Sequence, residues 1–131
     1  MRNITDALLK KTTALPAAAA TANSASIDLG QAGDASIESI EVQVAFPALA
    51  SLADTKSATL TIQDSADDST FAAVTGLSTL AVTGAGGAGA AASSRKVKLP
   101  STVRRYIRAS VAVDASGGDN TGDSFTLEVL T

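Results

Sequence analysis

The sequence predicts an all-β fold, an antiparallel β-sandwich of jelly-roll type with about eight strands and an extended N-terminal arm. Three features predict it. Apolar and polar residues alternate with a period of two in several short runs, clusters of Gly, Pro, Asp and Asn separate those runs, and no helical periodicity extends beyond about two turns. The clearest run is 57–74 (SATLTIQDSADDSTFAAV), where Ala58, Leu60 and Ile62 share one face and Ser57, Thr59, Thr61 and Gln63 the other. Asp64, Asp67 and Asp68 then supply turn chemistry, and Phe71 leads a second apolar entry.

Taken in order, Ile4, Ala7, Leu8 and Lys11 have the spacing of a short amphipathic helix, too short to be stable alone. Residues 12–22 are small and contain Pro16, which reads as an extended arm. The division expected is an arm over 1–23 and a sandwich domain over 24–131, with Ile4, Leu8 and Leu15 of the arm reaching a neighbouring subunit. Basic residues ahead of an alanine-rich stretch imitate a signal peptide, but that stretch is Ala and Thr around Pro16, with Asp6 among the basic residues.

The run 24–29 sets Ala25, Ile27 and Leu29 on one face, and Gly30 to Asp34 make a turn. Ile40, Val42, Val44 and Phe46 alternate with polar residues until Pro47, which cannot continue a ladder. A loop over 48–56 leads to the clear run described above. Residues 77–83 form a short strand, and the Gly/Ala/Ser stretch 84–94 reads as a flexible loop. A strand over 95–99 ends at Pro100. The longest strand, 103–113, faces Ile107, Ala109, Val111 and Val113 inward, and the last one does the same with Phe125, Leu127 and Val129.

Composition excludes whole classes of chemistry. The 131 residues contain no His, Cys or Trp, so Ser-His, Cys-His, disulfide and thiolate-metal arrangements cannot be built. No cofactor, metal or catalytic residue is expected. Thirteen acidic against ten basic residues give a net charge of −3, unlike a general nucleic-acid binder. No apolar run of about 18 residues would span a membrane as a helix.

Three motifs carry competing readings. Gly84, Gly86 and Gly89 match G-x-G-x-x-G after a strand, but basic alternation rather than an amphipathic helix follows, so a surface loop is the better reading. Asp64/Asp67/Asp68 and Asp114/Asp119/Asp123 hold carboxylates but lack the ligand order of a calcium loop, and turns need Asp for backbone reasons. Arg95, Lys96, Lys98, Arg104, Arg105 and Arg108 are six of the ten basic residues. On neighbouring strands their outward members would form a positive stripe, either an edge-protecting solvated face or a docking patch for an acidic protein surface.

Several segments together resemble the small capsid cement, or decoration, proteins of tailed bacteriophages: 26–30 (SIDLG), 60–71 (LTIQDSADDSTF), Leu99-Pro100 with 105–108 (RYIR), and 122–129 (GDSFTLEV). The resemblance runs from about Ser26 to the C-terminus. It implies a jelly roll without catalytic residues that forms homodimers or homotrimers and binds the major capsid protein on the outer surface of the virion, made in the host cytoplasm. Its expected partners are thus that capsid protein and itself, with no nucleic acid and no membrane. The stretch 84–94 and the alanine-rich arm depart from the family pattern. On this reading the six basic residues dock on the shell. The rival reading is a carbohydrate-binding sandwich of a secreted or tail-associated protein, which would need exposed aromatic platforms.

Overall fold

A computed structural model describes residues 10–29, 41–77, 79–100 and 102–130. Ten strands follow in chain order: β1 (Lys10–Ala14), β2 (Thr21–Asn23), β3 (Ile27–Asp28), β4 (Glu41–Phe46), β5 (Ser57–Ser65), β6 (Ala72–Ala73), β7 (Leu80–Thr83), β8 (Ser93–Lys98), β9 (Tyr106–Val113) and β10 (Ser124–Leu130). One sheet has the order β1-β10-β4-β8. The other has the order β2-β9-β5-β6, with β3 also on β9 and β7 also on β5. Every strand pair is antiparallel.

Counting β2 with β3, and β6 with β7, as interrupted single lanes leaves four lanes in each sheet. The chain then changes sheet at nearly every connection, the jelly-roll path expected from the sequence. The interruption between β2 and β3 is a bulge. Asn23 pairs with Ser110 and Ile27 with Ile107, so three residues of one strand face two of the other. Ser24 closes the gap: its N–H donates to the Ala109 carbonyl at 2.8 Å, and its Oγ accepts from the Ala109 N–H at 2.9 Å.

The alternation of the central strands fills the space between the sheets. Val42, Val44 and Phe46 from β4 and Phe125, Leu127 and Val129 from β10 meet Ala58, Leu60 and Ile62 from β5 and Ile107, Ala109, Val111 and Val113 from β9, all buried. Because Val, Ile and Leu dominate, the core needs only two aromatic rings, Phe46 and Phe125.

The structure departs from the sequence expectation at the arm. Residues 10–14 are strand β1, paired with β10 from Lys10↔Glu128 to Ala14↔Ser124, and 21–23 are β2 on β9. The sandwich therefore begins by Lys10 rather than at residue 24. Leu15, expected to reach another subunit, is 2% exposed in the core of its own chain, and its N–H donates to the Asp123 carbonyl. Ile4 and Leu8 lie outside the described residues, as does most of the expected short helix. The KKTTA segment shows no apolar alternation because an edge strand is held by its ladder, with only Lys11 and Thr13 half-buried.

The stretch from Gly84 is fixed rather than flexible. Leu49 and Ala90 exchange N–H···O bonds of 2.8 and 3.0 Å, Gly84 N–H donates to the Lys56 carbonyl, and Thr55 N–H donates to the Gly84 carbonyl, each at 2.9 Å. The backbones approach so closely that a Cβ on Gly84 would strike the Ala53 carbonyl oxygen, and one on Gly89 that of Leu49. On the other flank of the same 47–56 loop, Ala53 N–H donates to Gly117, and a Cβ on Gly118 would strike Ser51.

Candidate docking surface

The six clustered basic residues do not form one stripe. Strand β8 is the edge of the four-stranded sheet, whereas β9 lies inside the six-stranded sheet. Consecutive strands of a jelly roll change sheet, so residues close in sequence are carried to opposite layers. Within β8, Lys96 and Lys98 lie opposite Gln43 and Glu41 on the outward face, while Arg95 lies opposite the buried Val44. Arg95 Nη1 donates to the Thr79 carbonyl at 2.9 Å and so bridges toward the other sheet.

The three β9-end arginines gather at one end of the six-stranded sheet, and each has its own internal partner. Arg104 grips Asp64: Nε and Nη2 donate to Oδ1 at 3.0 and 2.7 Å, Nη2 also donates to the Asp64 carbonyl at 2.8 Å, and the Arg104 N–H donates to Oδ2 at 3.0 Å. The Asp64 side chain is only 9% exposed, and the three of these bonds that reach its carboxylate offset the cost of removing it from water. The bonds from Asp64 raise the Arg104 guanidinium further above its ordinary range.

Arg105 forks onto Asp28, Nε to Oδ1 at 2.8 Å and Nη2 to Oδ2 at 2.9 Å, which likewise raises its pKa. The same guanidinium lies 5.1 Å from the Tyr106 ring centre. Arg108 donates Nε to Gln63 Oε1 at 2.8 Å and stacks on Phe71 at 4.0 Å. The register explains the grouping, because Arg108 is opposite Gln63 while Tyr106 is flanked by Ser65 and Asp28.

The role of Phe71 escaped the sequence. Its position ahead of an apolar entry reads as core, yet it is half-buried beneath Arg108 and precedes β6, whose Ala72 and Ala73 are both exposed. The one legible signal was the missing alternation after it. The result is an end carrying two aromatic rings and three ordered guanidiniums, of which Arg108 alone has no carboxylate partner among the described residues. Arginines already held by internal partners are side chains that suit protein interfaces, because little rotamer freedom remains to be lost on binding.

The acidic turns are internally bonded. Asp67 Oδ1 accepts from Ser65 Oγ at 2.8 Å and from the N–H groups of Ser69 and Thr70 at 3.0 Å each. With the Thr70 bond the largest cause, these lower its pKa from 3.8 to about 2. Asp119 accepts from the N–H and hydroxyl of Thr121, and the hydroxyl bond leads in lowering its pKa. Asp114 accepts from Ser57 N–H. Among the described residues no group of three potential metal ligands occurs.

In the G-x-G-x-x-G loop the Gly87 N–H already donates to Asp54 Oδ1 at 2.8 Å, and strand β8 rather than a helix follows. An open depression of about 290 Å³ is lined by Ala45, Phe46, Ala92, Ser93 and Ser94, with hydroxyls as its only polar side-chain groups.

No family model and no curated protein matches the chain. Among solved structures it is similar to the crystal structure of the PBSX exported protein XepA, with a TM-score of 0.54 and 16% identity over 91% of this chain. The chain spans 34% of the length of that protein. At this identity the likeness bears on the fold alone, and it agrees with the two-sheet sandwich.

Proposed function

We propose that the protein is a structural, non-enzymatic component of a phage particle, a cement or decoration protein that binds the outer surface of the capsid and stabilises it. The observation that carries the reading is the end of the six-stranded sheet, where Arg108 is held by Gln63 across the sheet and stacked on Phe71, and Tyr106 lies beside Arg105. A cement protein needs a rigid scaffold and an anchoring surface, and repeated contacts on a symmetric shell add avidity to individually weak docking. Of the segments that resemble the cement family, 105–108 opens β9 at this end. Its partners are then the major capsid protein and further copies of itself, and it needs no cofactor.

Of the six basic residues, Arg108 is the strongest candidate contact, because Arg104 and Arg105 are already engaged by Asp64 and Asp28. Lys96 and Lys98 would contribute only if the four-stranded sheet also faces the shell. A sugar-binding role is less well supported, since a guanidinium covers one face of each candidate platform.

The test mixes the purified chain with capsids assembled from the major capsid protein encoded in the same genome and measures occupancy by co-sedimentation. Saturable binding that Arg108→Glu weakens by about tenfold or more is expected, as for an interface anchor. Absence of wild-type binding, or binding to a glycan array instead, would sink the proposal. Reversing Arg104 is unsuitable for this test, because it sets a second carboxylate against the buried Asp64.

A further inference from the structure

A sheet edge leaves backbone donors and acceptors without a ladder partner, and the edges of this sandwich are unequal. Among the described strands that border a sheet, β8 is the longest, with six residues against five in β1, four in β7 and two or three in β2, β3 and β6. It pairs with β4 along its whole length, from Ser93↔Phe46 to Lys98↔Glu41, and no described strand pairs with its other side. Its side chains divide by face. Ser94, Lys96 and Lys98 point outward and are exposed, and among the described residues neither lysine is in an ion pair. Val97 points the other way and lies against the core only half-buried. The depression lined by Ala92, Ser93, Ser94, Ala45 and Phe46 opens at the start of the same strand.

We propose that β8 accepts an extended segment of another protein as an added strand, and that this segment carries acidic, apolar and acidic residues at three successive positions. Strand addition takes its affinity from main-chain hydrogen bonds and its specificity from alternate side chains. The added side chains alternate as those of β8 do, so carboxylates lie beside Lys96 and Lys98, and the apolar residue between them completes the cover of Val97. The depression takes an uncharged side chain beside Ser94. Lysines on an edge deter a like edge, because two β8 strands laid together bring lysine beside lysine. The same lysines attract an acidic strand, so edge protection and docking are one device that refuses its own kind and admits the opposite charge. Strand β1 lacks this pattern, since its Lys10 lies opposite Glu128 and it holds no apolar residue larger than alanine. The edge is separate from the arginine end, and the inference does not rest on the proposed function.

The probe is a blocked, fluorescein-labelled peptide, Thr-Ser-Glu-Val-Glu-Ser-Thr, titrated with the full chain by fluorescence anisotropy and followed by amide hydrogen exchange. Saturable binding that slows exchange in β8 is expected, with a counterpart carrying Lys for both Glu bound at least about tenfold more weakly. In an added strand one set of alternate amides faces the ladder and the other faces solvent. Of two peptides N-methylated at alternate amides, one should therefore lose at least about tenfold in affinity while the other keeps it. Lys96→Glu, opposite Gln43, and Lys98→Gln should each weaken the acidic peptide, whereas Lys10→Gln on the far edge should not. Thermal melts check that the variants fold, and the methylated peptides test the edge without any substitution. No saturable binding of the acidic peptide overturns the proposal, as does equal affinity for the two methylated peptides, equal loss in Lys10→Gln, or exchange slowed elsewhere than in β8. Peptide binding without capsid binding would count against the proposed function only, and the reverse against this inference only.

Discussion

The two ends of the sandwich are held by opposite means. At one end the loops over 47–56, 84–92 and 114–123 lie backbone against backbone, and the contacts exist because Gly84, Gly89 and Gly118 have no side chain to obstruct them. At the other, Asp64, Arg104, Asp28, Arg105, Gln63 and Arg108 join their segments through long polar side chains. The first end is specified by absence and offers a partner little beyond loop backbone. The second is specified by charge and shape, and it displays guanidiniums and rings outward. That contrast is why docking is assigned to the arginine end, and why a change at each end should have a different character.

The largest loss is expected from Gly89→Val. Its backbone has φ of 73°, and the new Cβ would meet the Leu49 carbonyl oxygen and the Ala50 backbone, neither of which can swing aside as a side chain would. Left-handed strain and overpacking together should cost at least about 3 kcal/mol, lowering the melting temperature by roughly 10 °C or more in calorimetry. A near-native melt would show that this end is softer than its backbone bonds imply. Asp64→Ala is the counterpart at the other end. It removes the acceptor of three side-chain and backbone donors and should cost about 1–3 kcal/mol in denaturant melts, with Arg104 turned to solvent. A smaller loss than for Gly89→Val is the outcome that fits a half-exposed partner able to recover its hydration.

Much of this architecture was legible in the alternation of the sequence. Residues that fill the core by facing every second position, such as Ile107 to Val113 and Phe125 to Val129, declare themselves because burial selects their chemistry. Strand β1 did not, because an edge strand of Lys and Thr is selected by the backbone ladder of β10. The 84–94 stretch misled for a related reason: glycine frequency reports flexibility only when nothing packs on the glycine, and here carbonyl groups of the 47–56 loop do. The basic cluster was visible as residues but not as geometry. Its division between two sheets, the capture of Arg104 by Asp64 and the stacking of Arg108 on Phe71 all depend on partners 40 or more positions away for the polar pairs.

Smaller effects sharpen the contrast further. Gly87→Ala shares the left-handed backbone of Gly89, with φ of 70°, but its Cβ would point into open space. Only the conformational term of about 1 kcal/mol should remain, so the two neighbouring glycines separate strain from collision in a single pair of melts.

Asp67→Asn tests the arginine end through pH. The carboxylate of Asp67 is held at about 2 rather than 3.8 by the Thr70 N–H, the Ser65 hydroxyl and the Ser69 N–H. A depressed folded pKa means that the unfolded chain binds the proton more readily. The stabilisation is therefore fully present above about pH 4 and is lost as the pH falls from there toward 2. Asparagine keeps an acceptor oxygen but not the charge, so the variant should melt earlier than the wild type at neutral pH, with the difference narrowing between pH 4 and 2. A gap of constant size across that range would mean that the charge of Asp67 contributes nothing to the turn, and that the turn is set by acceptor geometry alone.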